Sequence, residues 1–263
     1  MTHHSRLNPR PARDEVVARL TGQSGADAPQ SITDPGQGGK FTSEGKVLRH
    51  PGNTFLCHIP TDSPLFAGLC AVQEGLIGSA FADSMVFLPR ESFHMTVFCG
   101  VSGAPLGIDG WPAGLRNDSS FEDINKVFRQ RLTDFQLDCP IRVIASGVNG
   151  PNSISMEPDG NIEETSLRGL RDRLRDLTGL SRDDHETYRF HVSLAYMLRF
   201  LPADEADALI SLSEDLYARH LAKVEPVTFN SLEFCRFETM FRFDPIQVIS
   251  SDAVVSRDSV RGA

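Results

Sequence analysis

Two short stretches constrain the fold of this 263-residue chain more than anything else in it. Along Ser92-Phe93-His94-Met95-Thr96-Val97-Phe98-Cys99, and again along Arg189-Phe190-His191-Val192-Ser193-Leu194, apolar and polar side chains alternate. A period of two belongs to a β-strand with one face on a core. Read as strands, the first sends His94 and Thr96 to one face, with Phe98 sharing their parity, and Met95, Val97 and Cys99 to the other. The second sets Arg189, His191 and Ser193 against Phe190, Val192 and Leu194. In both, a histidine and a hydroxyl project side by side, about 7 Å apart along the strand.

The two strands have similar surroundings. Ahead of the first, residues 53–60 read as a strand bounded by Pro51-Gly52 and Pro60, and residues 62–80 carry a Ser or Asp cap and helical apolar spacing. Ahead of the second, Leu167, Leu170, Leu174 and Leu177 fall on one face of a helix ending near Gly179. Residues 139–150 and 153–160 read as a hairpin, 204–224 as another amphipathic helix, and 226–238 and 240–249 as an antiparallel pair. Helices and strands so intermixed, with short hairpin connections, predict an α+β fold rather than a doubly wound sheet. No GxGxxG or Walker-type loop argues otherwise.

Residues 1–40 are rich in Gly, Pro, Ser, Gln and Asp, and such a segment buries too little apolar surface to offset the entropy of ordering it. It is expected to be a flexible extension, with Asp14–Leu20 as a short helix-like exception. Residues 250–263 are expected to form a flexible tail, leaving 41–249 as the folded body. With 40% apolar residues, the chain can bury a sizeable core.

The formal charge of −9 repels long nucleic acid and anionic membranes, so an anionic substrate needs a local positive patch. Five cysteines without CxxC spacing suit structural packing in a reducing compartment. No run of about 18 apolar residues and no apolar signal segment is present, so the expectation is a cytoplasmic, monomeric protein without a membrane partner.

The spacing His-x-Ser/Thr discriminates poorly, because it also occurs at His3 and His185. His3 lies in the polar N-terminal segment and His185 in a polar stretch. Only His94 and His191 stand in alternating apolar strands, each after a predicted helix. Paired in this way, nearly a hundred positions apart, the motifs resemble those of the two-histidine (2H) phosphoesterase superfamily. Residues 52–60, 93–98 and 188–196 look most like a less characterised bacterial and fungal branch of it, and the likeness runs over roughly residues 40 to 249.

The resemblance implies a bilobal α+β body, with two antiparallel sheets flanked by helices, in which each lobe donates one motif to a central cleft. It also implies RNA 2′,3′-cyclic phosphodiesterase chemistry of the LigT-like kind.

Such chemistry needs a base to take a proton from the attacking water and an acid to protonate the departing ribose oxygen. Two imidazoles with ordinary pKa near 6.5 can divide those roles. Thr96 and Ser193 would donate hydrogen bonds to the non-bridging phosphate oxygens. Arg189, by its parity with His191, is a candidate for the local positive charge, and Phe98, by its parity with His94, for stacking a base. Cys57 and His58 are adjacent and point to opposite faces, so they share no metal; neither a catalytic metal nor a cofactor is expected.

The expected function is hydrolysis of a small or RNA-terminal nucleotide phosphodiester, a 2′,3′-cyclic phosphate above all. The alternatives are a module that binds a nucleotide or RNA end without turnover, and 2′-5′ RNA end joining by the reverse chemistry.

Overall fold

The computed structural model describes residues 10–23, 27–108 and 110–251. Helix α1 (Arg13–Leu20) comes first, then strand β1 (Gly52–His58) and helix α2 (Pro64–Ile77). The start of α2 is fixed by Ser63, whose hydroxyl accepts from the Phe66 amide at 3.1 Å, and by Pro64 in the first turn, where no amide hydrogen is needed. Strand β2 (Met85–Phe87), strand β3 (His94–Ser102) and helix α3 (Phe121–Arg131) complete the first half.

The second half holds the hairpin β4 (Ile141–Gly150) and β5 (Ser153–Pro158), helix α4 (Asn161–Thr178), and strands β6 (His191–Ser193) and β7 (Ala195–Met197). Helix α5 (Ala203–His220) and strands β8 (Val227–Phe229), β9 (Ser231–Thr239) and β10 (Arg242–Ser250) end it. The leucine face read in α4 is buried at Leu167, Leu170 and Leu174, each side chain contributing roughly 2 kcal/mol. Gly179 closes that helix in a left-handed conformation, φ 70°, which costs glycine little.

The fold is α+β with antiparallel strand pairing throughout the named strands. Both halves meet inside one eight-stranded sheet of order β10-β9-β1-β3-β6-β5-β4-β8, beside a two-stranded sheet of β2 and β7. Adjacent strands β3 and β6 form the seam, through the partner pair Met95 and Val192. Helix α4 packs on β3, β4 and β5, and α5 packs on α2, β4 and α1.

Two features depart from simple alternation. The second alternating strand stops at Leu194, whose carbonyl accepts from the buried Gln73 side chain at 3.0 Å and from the Leu88 amide at 3.0 Å. Past that break the chain leaves the large sheet and pairs with β2, Tyr196 opposite Val86.

In β3 the register against β1 steps from Phe98 opposite Phe55 to Thr96 opposite Leu56, so Val97 is the extra residue of a β-bulge. Its carbonyl accepts from Nη1 of Arg171 on α4, a guanidinium only 2% exposed that also donates to the His185 carbonyl at 3.1 Å. The same guanidinium lies 4.3 Å from the Tyr188 ring centroid.

The expectation of a flexible segment over residues 1–40 is corrected over its described part. Val16, Leu20 and Ile32 are buried, and Arg13 of α1 bonds Asp207 at 2.8 Å and Glu214 at 2.7 Å on α5. A few well-spaced apolar anchors suffice where composition alone suggested none. Residues 1–9 and 252–263 lie outside the described residues, and with them His3 and all but the start of the expected tail; Ser250 ends β10 and Ser251 is bridged to Leu137.

Candidate active site

His94 and Thr96 share the exposed face of β3, and His191 and Ser193 that of β6, while Met95 and Val192 between them are fully buried. Because Met95 pairs with Val192 in an antiparallel ladder, one step either way sets His94 opposite Ser193 and Thr96 opposite His191. Opposed residues on one face have Cβ atoms about 5 Å apart and diagonal ones about 7–8 Å, so the two histidines are diagonal neighbours with a hydroxyl beside each. All four line one cavity of ≈ 840 Å³.

The imidazoles are held alike. Nδ1 of His94 lies 2.7 Å from the Ser92 carbonyl and Nδ1 of His191 lies 2.9 Å from the Arg189 carbonyl, in each case two residues back. A carbonyl only accepts, so Nδ1 carries the hydrogen in both rings, and Nε2 is left as the basic nitrogen of the neutral form.

Burial pushes the His94 pKa down to about 4, helped by His58 and His191 and opposed by the Ser92 carbonyl and by Glu233. Burial also lowers His191, with Lys40 and Arg19 adding to the effect and the Arg189 carbonyl opposing it. Near neutral pH, both rings are therefore uncharged bases.

Residues 40–153 match a family model described as 2H-phosphodiest, a domain of unknown function (DUF1868). Over that span the chain is similar to the 2H-phosphodiesterase family. The matched span includes His94 and Thr96 and ends before His191. No curated protein matches the chain.

Among solved structures, a conserved protein of unknown function from Agrobacterium tumefaciens is similar at 23% identity and a TM-score of 0.76, over 90% of this chain and 99% of that one. Escherichia coli LigT in apo form is similar at 9% identity and a TM-score of 0.41, over 77% of this chain and 98% of that one. The first likeness bears on fold alone, and the second is too distant to add to it.

Around the quartet, the site departs from the sequence reading in two places. Phe98 does not reach the cavity: the bulge at Val97 reverses parity beyond Thr96, so Phe98 is 1% exposed in the core against Phe55, and Cys99 lines the cavity in its place. Arg189 precedes the first residue of β6, where strand parity no longer holds, and its guanidinium bonds Glu15 of α1 at 2.7 Å instead of lining the cavity. The cationic side chains at the cavity wall are Lys40 and Arg182.

Sequence reasoning also passed over Tyr188 and Tyr196, both of which line the cavity. Tyr196 arrives there because the chain breaks at Leu194. Tyr188 has its ring 6.3 Å from that of His191, and burial pushes its hydroxyl well above the ordinary tyrosine range. Phe243 packs against His94 at 4.2 Å between centroids, and with Phe237 and Met240 it forms an apolar wall.

His58 is cross-strand partner to His94 and bonds Glu233 at 2.9 Å. Its imidazole, the Glu233 carboxylate and the Cys235 thiol have donor atoms within 4.8 Å of one another, whereas Cys57 turns away toward the Ser231 carbonyl. Among the described residues, no helix is long and apolar enough to cross a membrane.

Proposed function

We propose that the protein is a metal-independent phosphodiesterase that hydrolyses a small or RNA-terminal nucleotide phosphodiester, a 2′,3′-cyclic phosphate being the substrate that suits it best. What carries this reading is the diagonal pair His94 and His191, each with Nε2 free and a hydroxyl beside it, on one wall of a single cavity. One imidazole removes the proton of the attacking water, and the other, protonated, delivers its proton to the ribose oxygen as the P–O bond breaks. Thr96 and Ser193 donate to the non-bridging oxygens as phosphorus becomes five-coordinate. The product is a nucleoside 2′- or 3′-phosphate.

The test is incubation of the purified protein with 2′,3′-cyclic AMP in excess EDTA, with product followed by chromatography. Turnover unaffected by the chelator is expected, and turnover abolished by it would defeat the metal-free mechanism. Thr96→Val and Ser193→Ala should each lower kcat by about 10²-fold, the usual cost of one donor to a developing oxyanion. Steady-state rates of variants that unfold at the wild-type denaturant midpoint check this.

Burial lowers both imidazole pKa values, and a bound anion raises them by favouring the imidazolium. The form with one ring charged and one neutral is therefore most populated on the acid side of pH 6.5 in the free enzyme. It moves upward in the complex. Hence kcat/KM should peak below pH 6.5 and kcat at a higher pH than kcat/KM. Parallel profiles of the two constants decide the point, and a kcat/KM optimum above pH 7 counts against this assignment.

The low proton affinity of His94 also favours a second reading, a module that binds the ester without supplying an acid. Recovery of 2′,3′-cyclic AMP unchanged after prolonged incubation with protein that binds it would select that reading.

A further inference from the structure

We infer that Lys40 is the cationic ligand of the phosphodiester on the His191 side of the cavity, the positive charge that an acidic chain must supply to hold an anion. The inference rests on the proposed phosphodiester site. The chain carries a formal charge of −9, and the fully charged side chains lining the cavity are Lys40 and Arg182 against Asp183 and Asp184. Arg182 donates Nη2 to the Gly100 carbonyl, whereas Lys40 is the one of the two whose charge acts on His191. Lys40 stands over the Tyr196 ring at 5.2 Å from its centroid, with its ammonium 3.4 Å from the Tyr196 hydroxyl.

The main chain at Lys40 is well fixed. Its amide donates to the Ser31 carbonyl at 2.7 Å, and its carbonyl accepts from the Leu48 amide at 2.9 Å. The next residue, Phe41, is fully buried against Tyr196 and Phe241, at 5.2 and 5.7 Å between centroids. This anchor sets the root of the lysine at the cavity wall, with a compact ammonium at the end of its four-carbon stem.

The ammonium already acts on the chemistry, since it helps to lower the proton affinity of His191. An anion seated between them would neutralise Lys40 and approach His191 at once, so that binding and protonation of His191 reinforce one another. The other groups near His191 are Arg19, His94 and Tyr188, and Asp183 and Asp184 line the same cavity.

The experiment compares wild type with Lys40→Met and Lys40→Arg, using 2′,3′-cyclic AMP as substrate and inorganic phosphate as competitor, at two ionic strengths. Lys40→Met should raise KM and the phosphate inhibition constant about 10–10²-fold, the usual worth of a charged hydrogen bond, and flatten their salt dependence. Its His191 limb in the kcat/KM profile should move to higher pH, a shift that a purely structural role would not produce. Lys40→Arg should recover most of the affinity.

If His94→Ala abolishes turnover while Lys40→Met keeps the wild-type KM, inhibition constant and salt dependence, the lysine assignment fails and the phosphodiesterase reading stands. If no protein turns the substrate over, calorimetry with inorganic phosphate still decides: binding equal in wild type and Lys40→Met overturns the inference, and binding lost only in Lys40→Met upholds it.

Discussion

Replacing either His94 or His191 with alanine is expected to lower turnover of a 2′,3′-cyclic nucleotide by about 10²–10⁴-fold, the range for a general acid or base. In the proposed mechanism each imidazole serves a different proton transfer in the same transition state. Losing one therefore disables the other, and the double variant should fall little below the worse single one. The two-limbed pH profile of kcat/KM should collapse to one limb in each single variant. KM should move less than kcat, because in the proposed site Thr96, Ser193 and the cavity cations would still hold the ground-state anion. Stopped assays of both variants across pH 4–9 test the whole set, and near-wild-type rates in both would return the histidines to a structural role.

Arg171→Met is expected to destabilise the fold by about 2–4 kcal/mol. Two carbonyls, those of Val97 and His185, lose a charged donor inside the protein, at roughly 1–3 kcal/mol each. Part of that loss is offset, because a cation no longer has to be kept from water; burial already lowers the proton affinity of this guanidinium. Methionine retains the contacts with the Phe98, Tyr188 and Phe190 rings that the guanidinium makes now. Urea unfolding should show a lower midpoint at unchanged slope. Arg171→Lys should recover little, since one ammonium cannot reproduce a fork that reaches two carbonyls in different directions.

The reading of the sequence succeeds where periodicity is strong. The leucine face of α4, the hairpin of β4 and β5, and the polar faces of β3 and β6 follow from residue spacing, and the quartet lining the cavity follows from parity. Helix α3 escaped notice although its capping box, Ser120 with Asp123, was available as a signal.

The bulge at Val97 left no such mark, because alternation in the letters continues through Phe98 while the chain itself skips a step. Arg171 was masked by its neighbours, a run of arginines and aspartates that reads as a solvated helix face. Lys40 depends on the packing of Phe41 against Tyr196, a residue far along the chain, and no local pattern announces a contact of that kind.

The seam between β3 and β6 carries one further consequence. Side chains in a strand change face at every residue, so a slip of β6 by a single position would turn Val192 toward the cavity and drive His191 into the core. A slip by two positions would keep His191 on the cavity side but carry it about 7 Å along the seam from His94. On the proposed mechanism, activity thus reports strand alignment at this junction as well as folding, and refolded material that regains secondary structure without activity is the expected result of a slip here.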